Sequence, residues 1–142
     1  MKTIFKYLLL ASVLLIYSGC SKKEEPKLET FSAEAFAYDM ETSWEINSSI
    51  RVKGFAQAEE GKSFKHSLTY SVSLITPSGE VIKGLDSGEI NDAPAEKPAD
   101  LSIEVQYELN KTNGPGKYKI VYEIKDELAG KTAKGEKDFE VM

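Results

Sequence analysis

The sequence predicts an all-β domain, an antiparallel two-sheet sandwich of about seven strands, behind a short apolar leader. Three observations carry that expectation. From Leu28 onward apolar and polar residues alternate with period two, as they do in strands with one buried face. Turn signals rich in Gly, Pro, Asn and Asp recur between these runs at fairly even spacing. No segment after the leader joins a helical period to a helix cap.

The leader has three parts. Lys2 and Lys6 come first, then an uncharged apolar stretch from Tyr7 to Tyr17, then Ser18, Gly19 and Cys20. Basic, apolar and small is the layout of an export signal, and the apolar part is too short to span a bilayer comfortably. Ser18-Gly19-Cys20 resembles the lipobox of bacterial lipoproteins, although that family prefers Leu where Tyr17 stands here, with Ile16 behind it. The resemblance implies a diacylglyceryl group on the Cys20 thiol, cleavage just before Cys20, and acylation of the new amino terminus. It divides the chain into a signal peptide (1–19), a lipidated cysteine with a charged tether (20–27) and a sandwich domain (28–142).

In lipoproteins a serine after the cysteine, here Ser21, implies the outer membrane. Lys23-Glu24-Glu25 resembles the short signal that sends some lipoproteins to the outer face of that membrane, so Lys23, Glu24 and Glu25 are surface-sorting candidates. The alternative is a solvated tether holding a periplasmic domain off the membrane.

Composition narrows the function classes. The chain has 142 residues, with 18 Lys and Arg against 23 Asp and Glu, a formal net charge of −5. Loss of Lys2 and Lys6 with the leader makes it more acidic still. Nucleic acid and a headgroup-binding surface both call for a basic patch, so neither is expected as a partner. Cys20 is the only cysteine and the lipid would consume it. Without an intrachain disulfide the domain depends on packing, and a chain of this size buries about two-thirds of its unfolded surface. No later apolar run approaches the length of a membrane span, so the expected attachment is a lipid anchor on Cys20.

The strands follow in order. Leu28 to Tyr38 reads as an edge strand, with Phe31, Ala33, Ala35 and Ala37 on one face and Phe36 and Tyr38 on the other. Its alanines also suit a short helix, but no cap supports one. Trp44, Ile46, Ser48, Ile50 and Val52 share one parity, giving a strand that runs to about Gln57 with a bulge at Gly54. Glu59-Glu60-Gly61-Lys62 is a polar turn. Leu68, Tyr70, Val72 and Leu74 make the clearest face of the first half, closed by Thr76-Pro77-Ser78-Gly79. Glu80 to Lys83 and Leu85 to Ile90 read as two short strands, and Asn91 to Asp100 as the longest irregular stretch. Leu101, Ile103, Val105, Tyr107 and Leu109 alternate strictly. Tyr118, Ile120, Tyr122 and Ile124 follow the breaker Asn113-Gly114-Pro115-Gly116. After a turn with Gly130 in a left-handed conformation, the last strand carries Ala133, Phe139 and Val141, with a bulge expected at Gly135.

Gly114-Pro115-Gly116-Lys117-Tyr118 places a tyrosine at the start of the penultimate strand, after a glycine-rich corner. It resembles the tyrosine corner of immunoglobulin-like and fibronectin-III-like domains, in which the phenol bonds back to upstream backbone. The stretch from Leu109 to Val141 looks like the closing strands of such modules. This resemblance implies an immunoglobulin-like sandwich; the cysteine pair of antibody domains is absent, as it is in fibronectin-III-like relatives.

Residues for catalysis are scarce. His66 is the only histidine, which excludes two-histidine metal sites, and no Gly-x-Ser-x-Gly elbow accompanies it. Within Ser63-Phe64-Lys65-His66-Ser67 it reads as an exposed loop residue. No phosphate-cradling loop or dinucleotide fingerprint appears, so no catalytic residue, metal ligand or cofactor is expected. Asp86, Asn91 and Asp92 offer oxygens but lack the spacing of a calcium loop. Tyr38 and Trp44, with Phe36, are the ligand-binding candidates, because exposed aromatics on an edge strand stack on sugars; the parity of Trp44 with Ile46, Ile50 and Val52 favours the core series for it. The expected role is a non-catalytic binding or assembly module with a protein partner in the envelope. A carbohydrate-binding surface lipoprotein is the alternative and a small enzyme a distant third.

Overall fold

In the computed structural model the described residues are 25–142. The expected signal peptide, Cys20, Lys23 and Glu24 lie outside them. Eight strands follow in sequence: β1 (Glu29–Asp39), β2 (Ser43–Lys53), β3 (Ala58–Glu60), β4 (Ser63–Ile75), β5 (Val81–Asp92), β6 (Asp100–Asn110), β7 (Gly116–Asp126) and β8 (Lys131–Val141). A single turn of 3-10 helix, Lys111–Asn113, joins β6 to β7.

All pairings are antiparallel. One sheet has the order β1-β2-β6. In the other, β4 lies between β5 and β7, β8 follows β7, and the short β3 pairs with the first residues of β4. The chain crosses between sheets after β2, β5 and β6, and the result is an immunoglobulin-like two-sheet sandwich. The inward parity of every long strand feeds one core, which includes Ile46, Ile50, Leu68, Leu74, Ile103, Leu109, Ile120 and Ile124.

Several local expectations change. β2 stops at Lys53, because Gly54 takes a left-handed conformation (φ 75°) and turns the chain. A Cβ on Gly54 would sit 1.8 Å from the Lys27 carbonyl oxygen, so the glycine is where the entering chain rests on the domain. The polar stretch before Gly61 is a short strand, β3, rather than turn. The two short strands after Gly79 are one strand, β5. Its pairing with β4 is interrupted between Val72 and Leu74, and Gly84 (φ 73°) lies in the looped-out part of β5.

The bulge expected at Gly135 is absent: Gly135 pairs in register with Tyr122, and a Cβ there would lie 2.2 Å from Ile50 Cδ1. That glycine permits a close approach between the two sheets. The bulge falls instead in β1, between Phe31 and Glu34, and it moves Phe31 onto the outer face, opposite Arg51.

The tyrosine corner forms. Tyr118 is fully buried, and its hydroxyl donates to the carbonyls of Asn113 (3.0 Å) and Gly114 (2.5 Å). Burial pushes its phenol above the ordinary range. Asp126, also fully buried, closes the far end of β7. Its carboxylate accepts from the backbone N–H of Ala56 (2.6 Å), Leu128 (3.0 Å) and Ala129 (3.2 Å), tying the β2–β3 connection to the β7–β8 turn.

Candidate binding surface

The two ligand-binding candidates on β1 and β2 are separated by parity. Trp44 points inward, 5 % exposed, and its indole N–H donates to the Met142 carbonyl at 3.0 Å. Lys111 covers the ring, 5.6 Å from its centroid. Trp44 therefore offers no stacking platform, and as a binding residue it is corrected to a core residue. Tyr38 points outward, 54 % exposed, and Phe36 beside it on the same face is 56 % exposed. Met40, just past the strand, is 52 % exposed. Among the described residues the six large apolar side chains left exposed are these three together with Val81, Leu128 and Met142, so half of them gather within one short stretch.

Strand register sets what surrounds these aromatics. Three rows cross the outer face of the three-stranded sheet: Glu34–Ser49–Glu104, Phe36–Asn47–Gln106 and Tyr38–Glu45–Glu108. Rows are separated by two residues, about 7 Å along the strands, and columns by about 4.8 Å. A shallow depression of about 380 Å³ lies over the lower two rows. Asn47 Nδ2 donates to Glu45 Oε1 at 2.8 Å. A fourth row, Phe31–Arg51–Ser102, ends the face near the tether, where Arg51 pairs with Asp100.

Beneath this face runs a polar thread through the core. Ser48 Oγ donates to the Glu34 carbonyl at 2.7 Å, so the Tyr122 hydroxyl, 2.5 Å from Ser48 Oγ, is the donor of that pair. Tyr122 is fully buried. Its hydroxyl is held inside the sandwich by Ser48. Burial pushes its phenol up, against the opposing pull of the Ser48 bond. Tyr70 is likewise pushed up by burial and then by the Asp86 carboxylate beside it.

His66 is not an exposed loop residue. It lies in β4 on the parity of Leu68, Val72 and Leu74, 2 % exposed, with its ring 5.3 Å from that of Phe55. Neither ring nitrogen has a hydrogen-bond partner. Extending the Leu68 series back by two residues would have placed it inside. Asp86 lies five residues from Asn91 along β5, which holds them about 17 Å apart, and Asn91 and Asp92 bond locally to Glu89 and Ala93. Among the described residues no three His, Cys, Asp or Glu side chains gather as a metal would require.

Glu25, the one surface-sorting candidate within the described residues, accepts from Lys131 Nζ at 3.1 Å on an open surface. Of the Asn91–Asp100 stretch, Asn91 and Asp92 end β5 and Asp100 opens β6, so only residues 93–99 join the two sheets, at the end where the chain enters the domain. There Pro98 and Lys97 line an open cleft of about 790 Å³ with Phe55 and Leu128.

No protein-family model matches the chain, and no curated protein matches it. Among solved structures, a protein from Archaeoglobus fulgidus is 16 % identical, with a TM-score of 0.34 over 80 % of this chain and 96 % of that one. β-Glucosidase 3B from Thermotoga neapolitana, solved with α-D-glucose, is 11 % identical, with a TM-score of 0.34 over 81 % of this chain. The chain spans 17 % of that enzyme's length.

Proposed function

We propose that this chain is a lipid-anchored, extracytoplasmic, non-catalytic module of the bacterial outer membrane that binds a protein of the envelope. The observation that carries the reading is the cluster of Phe36 and Tyr38 on the outer face of β1, an edge strand of the three-stranded sheet, with Met40 just past its end. Exposed apolar side chains gathered in one place, rimmed by polar ones, are the mark of an interaction surface. Export and anchoring rest on the leader and on Ser18-Gly19-Cys20. Lys23-Glu24-Glu25 then serves as the address for the cell surface. The second reading, a glycan platform, is favoured by Phe36 and Tyr38 standing beside Asn47 and Gln106, but without Trp44 it has only two rings.

One experiment tests both halves. Cells fed an acyl probe should label the wild-type protein and not a Cys20→Ala variant; equal label on both would end the anchor reading. Detergent extracts of the same cells should yield a stoichiometric protein partner that is lost from a Phe36→Ser/Tyr38→Ser variant. Retention of that partner by the variant would remove β1 as the docking site.

A further inference from the structure

Resting on that reading, we infer that the partner is cationic: an extended protein segment bearing Lys or Arg lies along β1 and across the three upper rows of the sheet face. Those nine positions hold four glutamates, Glu34, Glu45, Glu104 and Glu108, and no lysine or arginine. None of the four takes part in an ion pair among the described residues. Glu45 and Glu108 face each other directly across β2 and β6. Like charges in that position destabilise a sheet, and the neutral Asn47 amide that donates to Glu45 does not cancel a charge; a local rule broken without a compensating cation points to a use outside the fold.

The lower end of the same face supplies the complement from within the chain. There the Phe31 ring is covered by two cations, with Arg51 5.9 Å and Lys53 5.3 Å from its centroid. Phe36 and Tyr38 continue the aromatic column upward with no cation over them, although carboxylates stand in the neighbouring columns. A guanidinium or ammonium group placed over these rings gains the cation–π attraction and the nearby carboxylates together. A neutral glycan would leave the Glu45–Glu108 repulsion in place, and an anionic partner would add to it.

The test uses the mature lipoprotein in detergent micelles and a fluorescent peptide of about eight residues alternating Arg and Ser, long enough to span the rows when extended. Anisotropy should report binding that weakens with salt. Glu45→Gln/Glu108→Gln and Phe36→Ala/Tyr38→Ala should each weaken it by about tenfold or more, a loss of ~1.4 kcal/mol. Glu123→Gln/Glu140→Gln, the same change of charge on the other sheet, should leave it unchanged. Equal loss from both glutamate pairs would reduce the effect to net acidity and overturn the inference. So would an oligosaccharide that binds through Phe36 and Tyr38 where the peptide does not. If an envelope partner is captured through β1 but ignores Glu45→Gln/Glu108→Gln, the binding-module reading stands and the cationic partner falls.

Discussion

The outer face across β7 and β8 and the upper rows of the three-stranded sheet handle charge in opposite ways. Across β7 and β8 the charges that face each other have opposite signs: Lys117 with Glu140, Lys119 with Asp138, Glu123 with Lys134. Lys119 also reaches Glu136 at 3.1 Å, and these two acids hold its ammonium above the usual lysine range. On β2 and β6 the Glu45–Glu108 pair has like signs, and aromatic rings stand beside it in place of lysines. The first face is complete in water. The second leaves its like charges facing each other, which is the basis of the partner proposed for it.

The largest effect expected concerns the support beneath the acidic face. Ser48→Ala leaves the Tyr122 hydroxyl and the Glu34 carbonyl without their partner, and Tyr122 is fully buried. The cost should be about 2 kcal/mol in urea unfolding. Tyr122→Phe leaves Ser48 bonded to Glu34 and should cost about 1 kcal/mol. Equal costs would mean that the thread does not run in this direction. Tyr118→Phe should also cost about 1 kcal/mol, since Asn113 is exposed and Gly114 only half-buried, so their carbonyls can turn to water.

An alkaline titration sharpens the same point. Tyr70, Tyr118 and Tyr122 are all raised above 10.0 in the fold, with burial as the leading cause. The unfolded chain therefore loses these protons first as pH rises. The stability they confer is whole below about pH 10 and is lost as pH climbs through the folded values. Urea midpoints should fall above that pH, and less steeply in Tyr122→Phe. A Tyr122→Phe variant that falls as steeply as wild type would remove Tyr122 from the effect.

The smallest effects test the comparison itself. Glu108→Lys turns a like-charge pair into an opposite one and should stabilise by about 0.2–1 kcal/mol. Lys119→Glu does the reverse on the other face, placing a third acid beside Glu136 and Asp138, and should destabilise by about the same amount. Thermal melts at low salt would show both, and both should shrink at high salt. Changes of the same sign would abolish the contrast between the faces.

Strand parity made most of the sandwich legible from sequence, because a period of two is a direct record of which side is buried. It placed Ile46, Leu68, Ile103 and Ile124 correctly, and Tyr118 announced its corner through the glycines before it. What it missed has a common cause. His66 is a polar residue on a buried parity, and its polar neighbours hid the pattern. Gly135 and Gly54 are small because other chain segments approach them, and such contacts leave no periodic trace in sequence. The Glu45–Glu108 pair, separated by more than 60 residues, exists only once the register of β2 against β6 is known. Tyr38 was visible as a candidate; its acidic surroundings were not.

Gly54 also fixes a direction. The Lys27 carbonyl rests where a side chain on Gly54 would be, so the chain enters the domain at the end formed by Phe55, Pro98 and Leu128. From Leu28 the first strand climbs to Tyr38, ten residues of extended chain or about 33 Å. Phe36, Tyr38 and Met40 thus stand at the summit of the domain, a full strand length above the point of attachment. With the lipid anchor proposed on Cys20, such a domain would work as a mast, holding its aromatic cluster about 33 Å beyond its base, where a neighbour in the envelope need not touch the membrane to be caught.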